Sequence, residues 1–275
     1  MSRVLEYEPR DLTISVEAGM PYAELTALLA SNRQMVPLDP PYAASATVGG
    51  VLAANQSGPR RRLFGTARDL VIGVQFATMA GKLVQAGGMV VKNVAGLDMG
   101  KLMIGSWGTL AAIATVNFKL IPQDKARRTF LQTFDSAQDA LAERSRILQS
   151  VLQPGAVDLL NPAASARIGR QGWLLAVGTG GSQALVDRYS RELAMAEALE
   201  ADAERAFWHG VESFAEGWLA EHAGGACERA HRYSGRRRHL FVQCRGSRSI
   251  CSAGRCAGFR AFVTGGHGGE SGADL

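Results

Sequence analysis

Alternating apolar and polar residues predict three half-buried β-strands in the first half of the chain. The strands span residues 12–17, 69–76 and 110–121, and Pro122 closes the third. The predicted core-facing residues are Leu70, Ile72, Val74 and Phe76 in the second strand and Ala112, Ala114, Val116, Phe118 and Leu120 in the third. After the first strand, a helix is predicted in which Leu25, Leu28 and Leu29 share one face.

Turn and capping residues add two short elements to this region. Residues 79–82 (Met-Ala-Gly-Lys) predict a hairpin turn that leads into a further strand at 83–86. Asp98 can cap a short helix that carries Leu102 and Met103 inward. The first half is therefore predicted to be rich in strands, with short helices between them.

Past Pro122 the spacing of apolar residues changes. Strands are predicted at 129–134, 157–160 and 173–177, and helices at 136–152 and from 182 to about 204. The first of these helices should present Leu141, Ile147, Leu148 and Val151 to the core. This β-α-β-β-α order is most of a split βαβ module. An α+β fold with two domains follows.

The most informative stretch joins the predicted helix at 22–29 to the strand at 69–76. There, Thr47-Val48-Gly49-Gly50 predicts a tight turn that opens into a short helix. Glycine pairs let the main chain approach a ligand closely, and the amides of a helix start suit phosphate. The alternative is a turn between packed elements with no ligand. For the run Arg60-Arg61-Arg62 that follows, a solvated loop is the favoured interpretation.

A second glycine-rich stretch, residues 87–122, makes the ligand interpretation more specific. It contains a glycine pair, Lys92-Asn93, and the segment Gly105-Ser106-Trp107-Gly108-Thr109 entering a strand. The order TVGG, AAN, SG and RD, then GG, KNVAGLD and KLMIGSWGTL, resembles the PCMH-type FAD-binding domain of the vanillyl-alcohol oxidase superfamily. Within that group it is similar to the FAD-binding subunits of bacterial glycolate oxidases.

The resemblance implies two regions along the chain: residues 1–122 would be the FAD-binding domain and residues 123–216 a partial cap domain. No resemblance is visible for residues 217–275. Their lost periodicity and their glycine and arginine content predict a tail that is either disordered or the product of a frameshift, with a natural basic tail as the alternative. In the family, the first part of the FAD domain lies upstream of a position corresponding to Met1, so we expect that part to be missing here.

The resemblance also implies a cofactor and the residues that hold it. FAD is expected to be noncovalent, because residues 1–122 contain neither Cys nor His. The residues implied to line the FAD site are Pro41, Thr47, Val48, Gly49, Gly50, Ala53, Asn55, Ser57, Gly58, Lys92, Asn93, Gly105, Gly108, Thr109 and Ile113. Three positions depart from the family pattern, namely Leu97, Trp107 and Ala111, and Ala111 could crowd the cofactor.

The implied activity is oxidation of glycolate to glyoxylate by an FAD-dependent oxidoreductase acting on CH–OH groups. The implied partners are a second FAD-binding subunit and an iron–sulfur subunit, in the cytoplasm or held at the inner membrane through that complex. The isolated chain is not expected to turn over glycolate. Two alternatives stay open: a non-catalytic flavin-fold binding module, and another FAD-linked 2-hydroxy acid oxidase similar to D-lactate dehydrogenase.

Charge and cysteine content concern the last part of the chain. Residues 224–275 carry nine Arg, no Lys and three acidic residues, which is a net charge of +6. Because the whole chain has a net charge of +5, the remaining residues carry a net charge of −1. A nucleic-acid protein is therefore supported only by the tail. All four Cys lie there without a CxxC pair, and no metal site is predicted.

Catalytic residues are harder to assign from the sequence. No Ser-His-Asp set, paired catalytic carboxylates or Walker loop is recognisable. Arg167, Arg170 and His209 are the weak candidates for handling a substrate carboxylate. The catalytic residues therefore stay unassigned at this stage.

Overall fold

A computed structural model describes residues 1–89, 97–193, 196–214 and 217, and the backbone of 227–230 and 242–244. Its first domain is built on an antiparallel sheet of order β1-β2-β6-β4-β5. The elements of this domain are β1 (Val4–Glu8), β2 (Thr13–Glu17), α1 (Tyr22–Ser31), β3 (Gln34–Met35), α2 (Val48–Ala54), α3 (Arg61–Phe64), α4 (Ala67–Leu70), β4 (Val71–Thr78), β5 (Leu83–Gly87), α5 (Met99–Met103), β6 (Ala111–Lys119) and β7 (Ile121–Pro122).

The predicted strands and the first helix form this domain's core. Ile14 and Val16 on β2 pack with Leu25 and Leu29 on α1, and with Phe118 on β6. All five side chains are buried, which accounts for the alternation along the strands and the helical spacing between them. The hairpin between β4 and β5 also lies where predicted, with the Thr78 amide donating to the Lys82 carbonyl at 2.9 Å.

The predicted inward-facing residues of β6 are wrong at the start of the strand, because the register between β4 and β6 shifts there. Gln75 on β4 pairs with Thr115, but the next residue, Phe76, pairs with Ile113, so one residue of β6 is extra. The alternation therefore changes face at this point. Ala111 is buried, whereas Ala112, predicted to point inward, is exposed.

The second domain is a four-stranded antiparallel sheet of order β11-β8-β10-β9. Its elements are β8 (Ala126–Phe134), α6 (Ala137–Gln149), β9 (Ala156–Leu160), α7 (Pro162–Arg167), β10 (Trp173–Gly181), α8 (Gln183–Glu192), β11 (Glu197–Leu199) and α9 (Ala201–Glu212). Ile147 of α6 and Tyr189 of α8 pack on one face, while Phe207 and Trp208 of α9 pack on the other. Further along the chain, β12 (Cys227–Ala230) pairs with β13 (Val242–Cys244).

Two predictions for the helices are wrong. The helix predicted from 182 to about 204 is two helices, α8 and α9, with strand β11 between them. Strand β11 completes the sheet by pairing with β8, a long-range contact that helical spacing cannot reveal. In the other predicted helices, Leu102, Leu141 and Val151 are exposed, although the spacing predicts that they point inward.

The arginine run is also not a solvated loop. Arg60 is held by Asp39, with Nε 2.9 Å from Oδ1 and 3.0 Å from Oδ2. Arg62 Nη1 donates to the Pro154 carbonyl at 2.8 Å, which ties α3 to the second domain. Burial raises the pKa of the Asp158 carboxyl on β9, and the charge of Arg61 opposes this rise. Arg60 and Arg62 thus have acceptors within the chain, whereas Arg61 is exposed on α3.

Candidate functional site

The amides at the start of α2 are already paired inside the chain. The Val48 amide donates to the Met20 carbonyl at 2.9 Å, and the Gly49 amide donates to the Ala18 carbonyl at 2.7 Å. The Gly50 amide donates to Thr47 Oγ1 at 3.2 Å. The expectation that these three amides are free for phosphate is therefore wrong.

The two glycines of this turn have different structural roles. A Cβ on Gly49 would lie 2.9 Å from Ala18 Cβ, so glycine is needed there for packing. Gly50 and Thr47 are exposed, and a Cβ on Gly50 would meet only Thr47 Oγ1, at 3.2 Å. The surface at Gly50 is therefore open main chain that a ligand could approach.

The end of α2 contacts the second glycine-rich stretch directly. The Gly105 amide donates to the Leu52 carbonyl at 3.0 Å, and the Trp107 amide donates to the Ala53 carbonyl at 2.9 Å. Asn55 ends the helix in the left-handed region at φ 52°. The two stretches singled out from the sequence, about 50 residues apart, thus form one surface.

Two buried serine hydroxyls lie at this surface without a hydrogen-bond partner among the described residues. They belong to Ser57, which is 4% exposed, and to Ser106, which is 8% exposed. A buried hydroxyl without a partner costs about 1 to 3 kcal/mol, so each of these groups calls for a further polar partner, such as a water molecule or a ligand. Their presence at both loops fits a polar cofactor such as FAD.

The predicted cofactor residues are distributed unevenly around this surface. Ala53, Asn55 and Gly105 lie together where α2 meets the second loop, and Gly108 and Thr109 follow in the same loop. Ser57 and Gly58 lie next to Asp39, because the Asp39 amide donates to the Ser57 carbonyl at 3.2 Å and a Cβ on Gly58 would come within 2.4 Å of Asp39 Cβ; Pro41 follows Asp39 by two residues. Ile113 packs against the core instead. Lys92 and Asn93 lie outside the described residues.

The positions that depart from the family pattern differ in their surroundings. Ala111 is buried with Val74, Phe76 and Met103, so its methyl group fills the core and does not crowd the surface. Trp107 is 71% exposed and has φ 54°. Sequence reasoning did not assign Trp107 to the site, although its position between Gly105 and Gly108 indicated an unusual backbone.

A cleft of about 370 Å³ opens between the two domains. The first domain and the connection to β8 contribute Thr26, Asp39, Pro59, Arg60, Leu63, Phe64 and Asp124, and the second domain contributes Arg127, Gly155, Ala156, Gly178, Thr179, Gly180, Glu204, Arg205, Trp208, His209 and Glu212. Pro59 and Arg60 directly follow the predicted cofactor residues Ser57 and Gly58. The cleft therefore adjoins the surface formed by the two loops.

A buried hydrogen-bond network orients one arginine of the cleft. Trp208 Nε1 donates to Thr129 Oγ1 at 2.7 Å, and Thr129 Oγ1 donates to Glu204 Oε1 at 3.1 Å. The same Glu204 oxygen is 3.5 Å from Arg127 Nε. Because Thr129, Glu204 and Trp208 are all buried, this network holds the partly exposed Arg127 at the cleft.

The substrate-handling candidates from the sequence have different positions. His209 lines the cleft. Arg170 forms a bidentate pair with Glu197, at 2.5 and 2.9 Å, and Arg167 lies over the Phe214 ring at 5.3 Å from its centroid. Arg127, Glu212 and Asp124 were missed, because no local motif surrounds them and only long-range packing brings β8, α9 and the connection before β8 together.

Burial changes the acidity of the carboxyl groups around the cleft. It raises the pKa of Glu212 to about 7, and the nearby Asp39 adds to this rise while Arg60 and Arg127 oppose it. Burial also raises the pKa of Asp124, against the effect of Arg127 and Arg60. On β9, burial raises the pKa of Asp158 to about 6. The cleft thus holds a carboxyl group that exchanges its proton near neutral pH.

The raised pKa of Glu212 predicts a pH-dependent stability. The folded-state pKa of about 7 exceeds the ordinary value of 4.5, so the stabilisation is complete below pH 4.5 and is lost as the pH rises through 7. We expect a fall of about 1 kcal/mol in the free energy of unfolding between pH 6 and pH 8, allowing for partial exposure. Urea unfolding at the two pH values measures it.

The Glu212→Gln variant should show a smaller fall over this pH range, because glutamine does not titrate. Asp158→Asn is the matched control: the pKa of Asp158 is about 6, so most of its contribution is lost below that pH. Its fall between pH 6 and pH 8 should be close to that of the wild type. An unchanged fall in Glu212→Gln would contradict the assignment.

Two kinds of feature are absent from the described residues. In the described part of the chain, no group of three or more His, Cys, Asp or Glu side chains could hold a metal ion. No helix among the described residues has the length and apolar character needed to cross a membrane. Residues 245–275, which include Cys251 and Cys256, lie outside this description.

Comparison with known sequences connects this geometry to flavoproteins. Residues 1–87 match the sequence model of a family described as "FAD binding domain". The chain is 39% identical over 152 residues to glycolate oxidase subunit GlcE of Escherichia coli (strain K12), covering 55% of this chain and 42% of that protein. It is 30% identical over 161 residues to the mitochondrial D-lactate dehydrogenase (cytochrome) 1 of Saccharomyces cerevisiae, covering 58% and 27%.

Solved structures give the same fold. Alkyldihydroxyacetonephosphate synthase superposes with a TM-score of 0.64 at 18% identity, over 80% of this chain and 46% of that one. The predicted resemblance to a PCMH-type FAD-binding domain and the α+β fold class are thereby confirmed. The chain spans less than half the length of each of these relatives.

Proposed function

We propose that the chain is a noncovalent FAD-binding subunit of a complex that oxidises glycolate to glyoxylate. The observation that carries this proposal is the joining of the two glycine-rich stretches at Leu52–Gly105 and Ala53–Trp107. The resemblance to a glycolate oxidase subunit supports the choice of glycolate, a small 2-hydroxy acid.

FAD at this surface would be held by the residues around the junction of the loops. Asn55, Gly105, Gly108 and Thr109 are the candidates at one side, and Pro41, Ser57 and Gly58 at the other. When bound, FAD supplies the acceptor for the two electrons released from the substrate. The hydroxyls of Ser57 and Ser106 offer donors to its polar groups, with Thr47 and Gly50 at the exposed turn.

The cleft between the domains is the proposed place for the substrate. Arg127, held by Glu204, can bind a carboxylate, since a guanidinium donates two parallel hydrogen bonds to it. Oxidation of a 2-hydroxy acid also releases the proton of its hydroxyl group. His209 and Glu212 line the same cleft as candidate acceptors, and the Glu212 pKa of about 7 suits proton transfer near neutral pH.

Two other functions are consistent with the same fold. One is oxidation of a different 2-hydroxy acid, as the similarity to a D-lactate dehydrogenase indicates. The other is a flavin-fold module that binds without turnover. Glycolate and D-lactate tested side by side distinguish the first alternative, and bound flavin without any substrate-dependent reduction supports the second.

Partners are part of the proposal. The relatives named as glycolate oxidase subunits point to a complex of several chains. We propose that these partners include a second FAD-binding subunit and an iron–sulfur subunit, which would carry electrons away. The protein would then act in the cytoplasm, or at the inner membrane through the complex.

The test is co-expression of the chain with and without both partner subunits. We expect yellow protein whose FAD is released by acid, and glycolate-dependent dye reduction only when all three subunits are present. Visible absorption and dye reduction measure the two results. A colourless chain that ignores added FAD in both preparations would refute the proposal, and glycolate turnover by the chain alone would refute the role of the partners.

A further inference from the structure

The backbone of Trp107 is in an unusual conformation for a large residue. Its φ of 54° lies in the left-handed region, which bulky side chains rarely adopt. The conformation is imposed by its surroundings: the Trp107 amide donates to the Ala53 carbonyl at 2.9 Å, and Gly105 and Gly108 on either side have φ of 81° and 70°. Strained residues of this kind concentrate at binding sites.

The indole of Trp107 is exposed to solvent instead of buried. Its side chain is 71% exposed, although tryptophan is one of the most costly side chains to leave in water. The loop therefore combines backbone strain with exposed aromatic surface. A glycine at this position would remove both the backbone strain and the exposed indole. The packing of the domain therefore requires neither feature.

The groups around Trp107 are those of a binding surface. Ser106, directly before it, has a buried hydroxyl without a partner among the described residues, and the same holds for Ser57 across the surface. A Cβ on Gly105 would lie 3.5 Å from Asn55 Cβ, and one on Gly108 would have open space around it. Exposed aromatic surface, unpaired polar groups and uncovered main chain thus occur together.

We propose that Trp107 is a stacking surface for an aromatic ring of the bound dinucleotide. The inference rests on the proposed function and adds a residue that the family pattern does not have at this position. A planar ring with polar substituents matches the site, because an indole stacks on such rings while the serine hydroxyls pair with their heteroatoms. Both the isoalloxazine ring and the adenine ring have this chemistry.

The test compares ligands that carry one ring or both. Titration calorimetry of the full chain with FAD, riboflavin and AMP gives the affinity for each. Replacing Trp107 with alanine should weaken FAD about 10-fold, as expected for one lost stacking contact. The same substitution should weaken riboflavin if the isoalloxazine ring stacks on Trp107, and AMP if the adenine ring does.

A second measurement reports on the indole directly. Mild oxidation with N-bromosuccinimide followed by mass spectrometry should modify Trp107 in the free chain, and bound FAD should protect it. Trp107→Phe should retain most of the affinity, because phenylalanine also stacks. Trp173→Phe, a change in β10 of the second domain, is the matched control and should leave FAD binding unchanged.

The outcomes separate this inference from the proposed function. A wild-type chain that binds no FAD would overturn both. If the wild type binds FAD but Trp107→Ala binds it equally well, or if bound FAD leaves Trp107 open to oxidation, only the stacking role falls. Loss of the partner subunits from Trp107→Ala with unchanged FAD affinity would likewise overturn it, in favour of a protein contact.

Discussion

Replacing Asp39 with alanine should lower the free energy of unfolding by about 3 to 5 kcal/mol, because it removes one partner of a buried ion pair. Asp39 is the carboxylate that binds Arg60, and the Asp39 and Arg60 side chains are 7% and 20% exposed. Without it, the guanidinium would stay buried next to Met35 and would lose its hydrogen-bonded counter-charge, leaving Glu212 as the acidic group that acts on it across the cleft. Urea unfolding of the purified chain measures this loss.

Two controls show whether the loss comes from the unpaired charge. The double variant Asp39→Leu with Arg60→Met should be much more stable than Asp39→Ala, since apolar groups can replace a buried pair at little cost. Arg146→Met breaks an exposed pair with Glu143 on α6 and should change stability by less than about 1 kcal/mol. Equal losses in Asp39→Ala and Arg146→Met would contradict the prediction.

Replacing Gly50 with valine should weaken FAD binding by a factor of roughly 100 or more, because a branched side chain would cover exposed main chain where the cofactor is proposed to approach. The stability of the domain should fall only slightly. The added Cβ would meet Thr47 Oγ1 at 3.2 Å, and Gly50 has an ordinary backbone conformation. Calorimetric titration with FAD and urea unfolding measure the two effects.

The matched control is Ala142→Val on α6 of the second domain. Ala142 is also exposed, so the substitution carries the helix cost of a β-branched residue without touching the loops. It should leave FAD binding unchanged. Full FAD binding by Gly50→Val would mean that the turn at Thr47–Gly50 serves only to pack α2 against Ala18.

Local patterns were sufficient for much of the fold. Alternation predicted β2 and β4, helical spacing predicted α1, and the capping residue Asp98 begins α5 as expected. Such features depend on residues a few positions apart, so they can be recognised without knowledge of the tertiary structure. The resemblance to an FAD-binding domain depended likewise on short motifs at characteristic spacings.

The tertiary structure decided which backbone amides and arginine side chains have hydrogen-bond acceptors within the chain. From the sequence, the amides of Val48 and Gly49 were expected to be available to a phosphate, but they donate hydrogen bonds to the carbonyls of residues 20 and 18. The arginine run looked solvated, but Arg60 and Arg62 find acceptors 21 and 92 residues away. The acceptors come from elements that meet only when the chain folds, so no local pattern could identify them.

The residues of the chain therefore determined by themselves the order of most elements, the two glycine-rich loops and the class of cofactor that they indicate. Only the tertiary structure placed Arg127, His209 and Glu212 in one cleft, because β8 and α9 come together through long-range packing of the second domain. It also showed that Trp107 is exposed. Burial and strain are properties of the whole packed chain, whereas spacing and capping are properties of neighbouring residues.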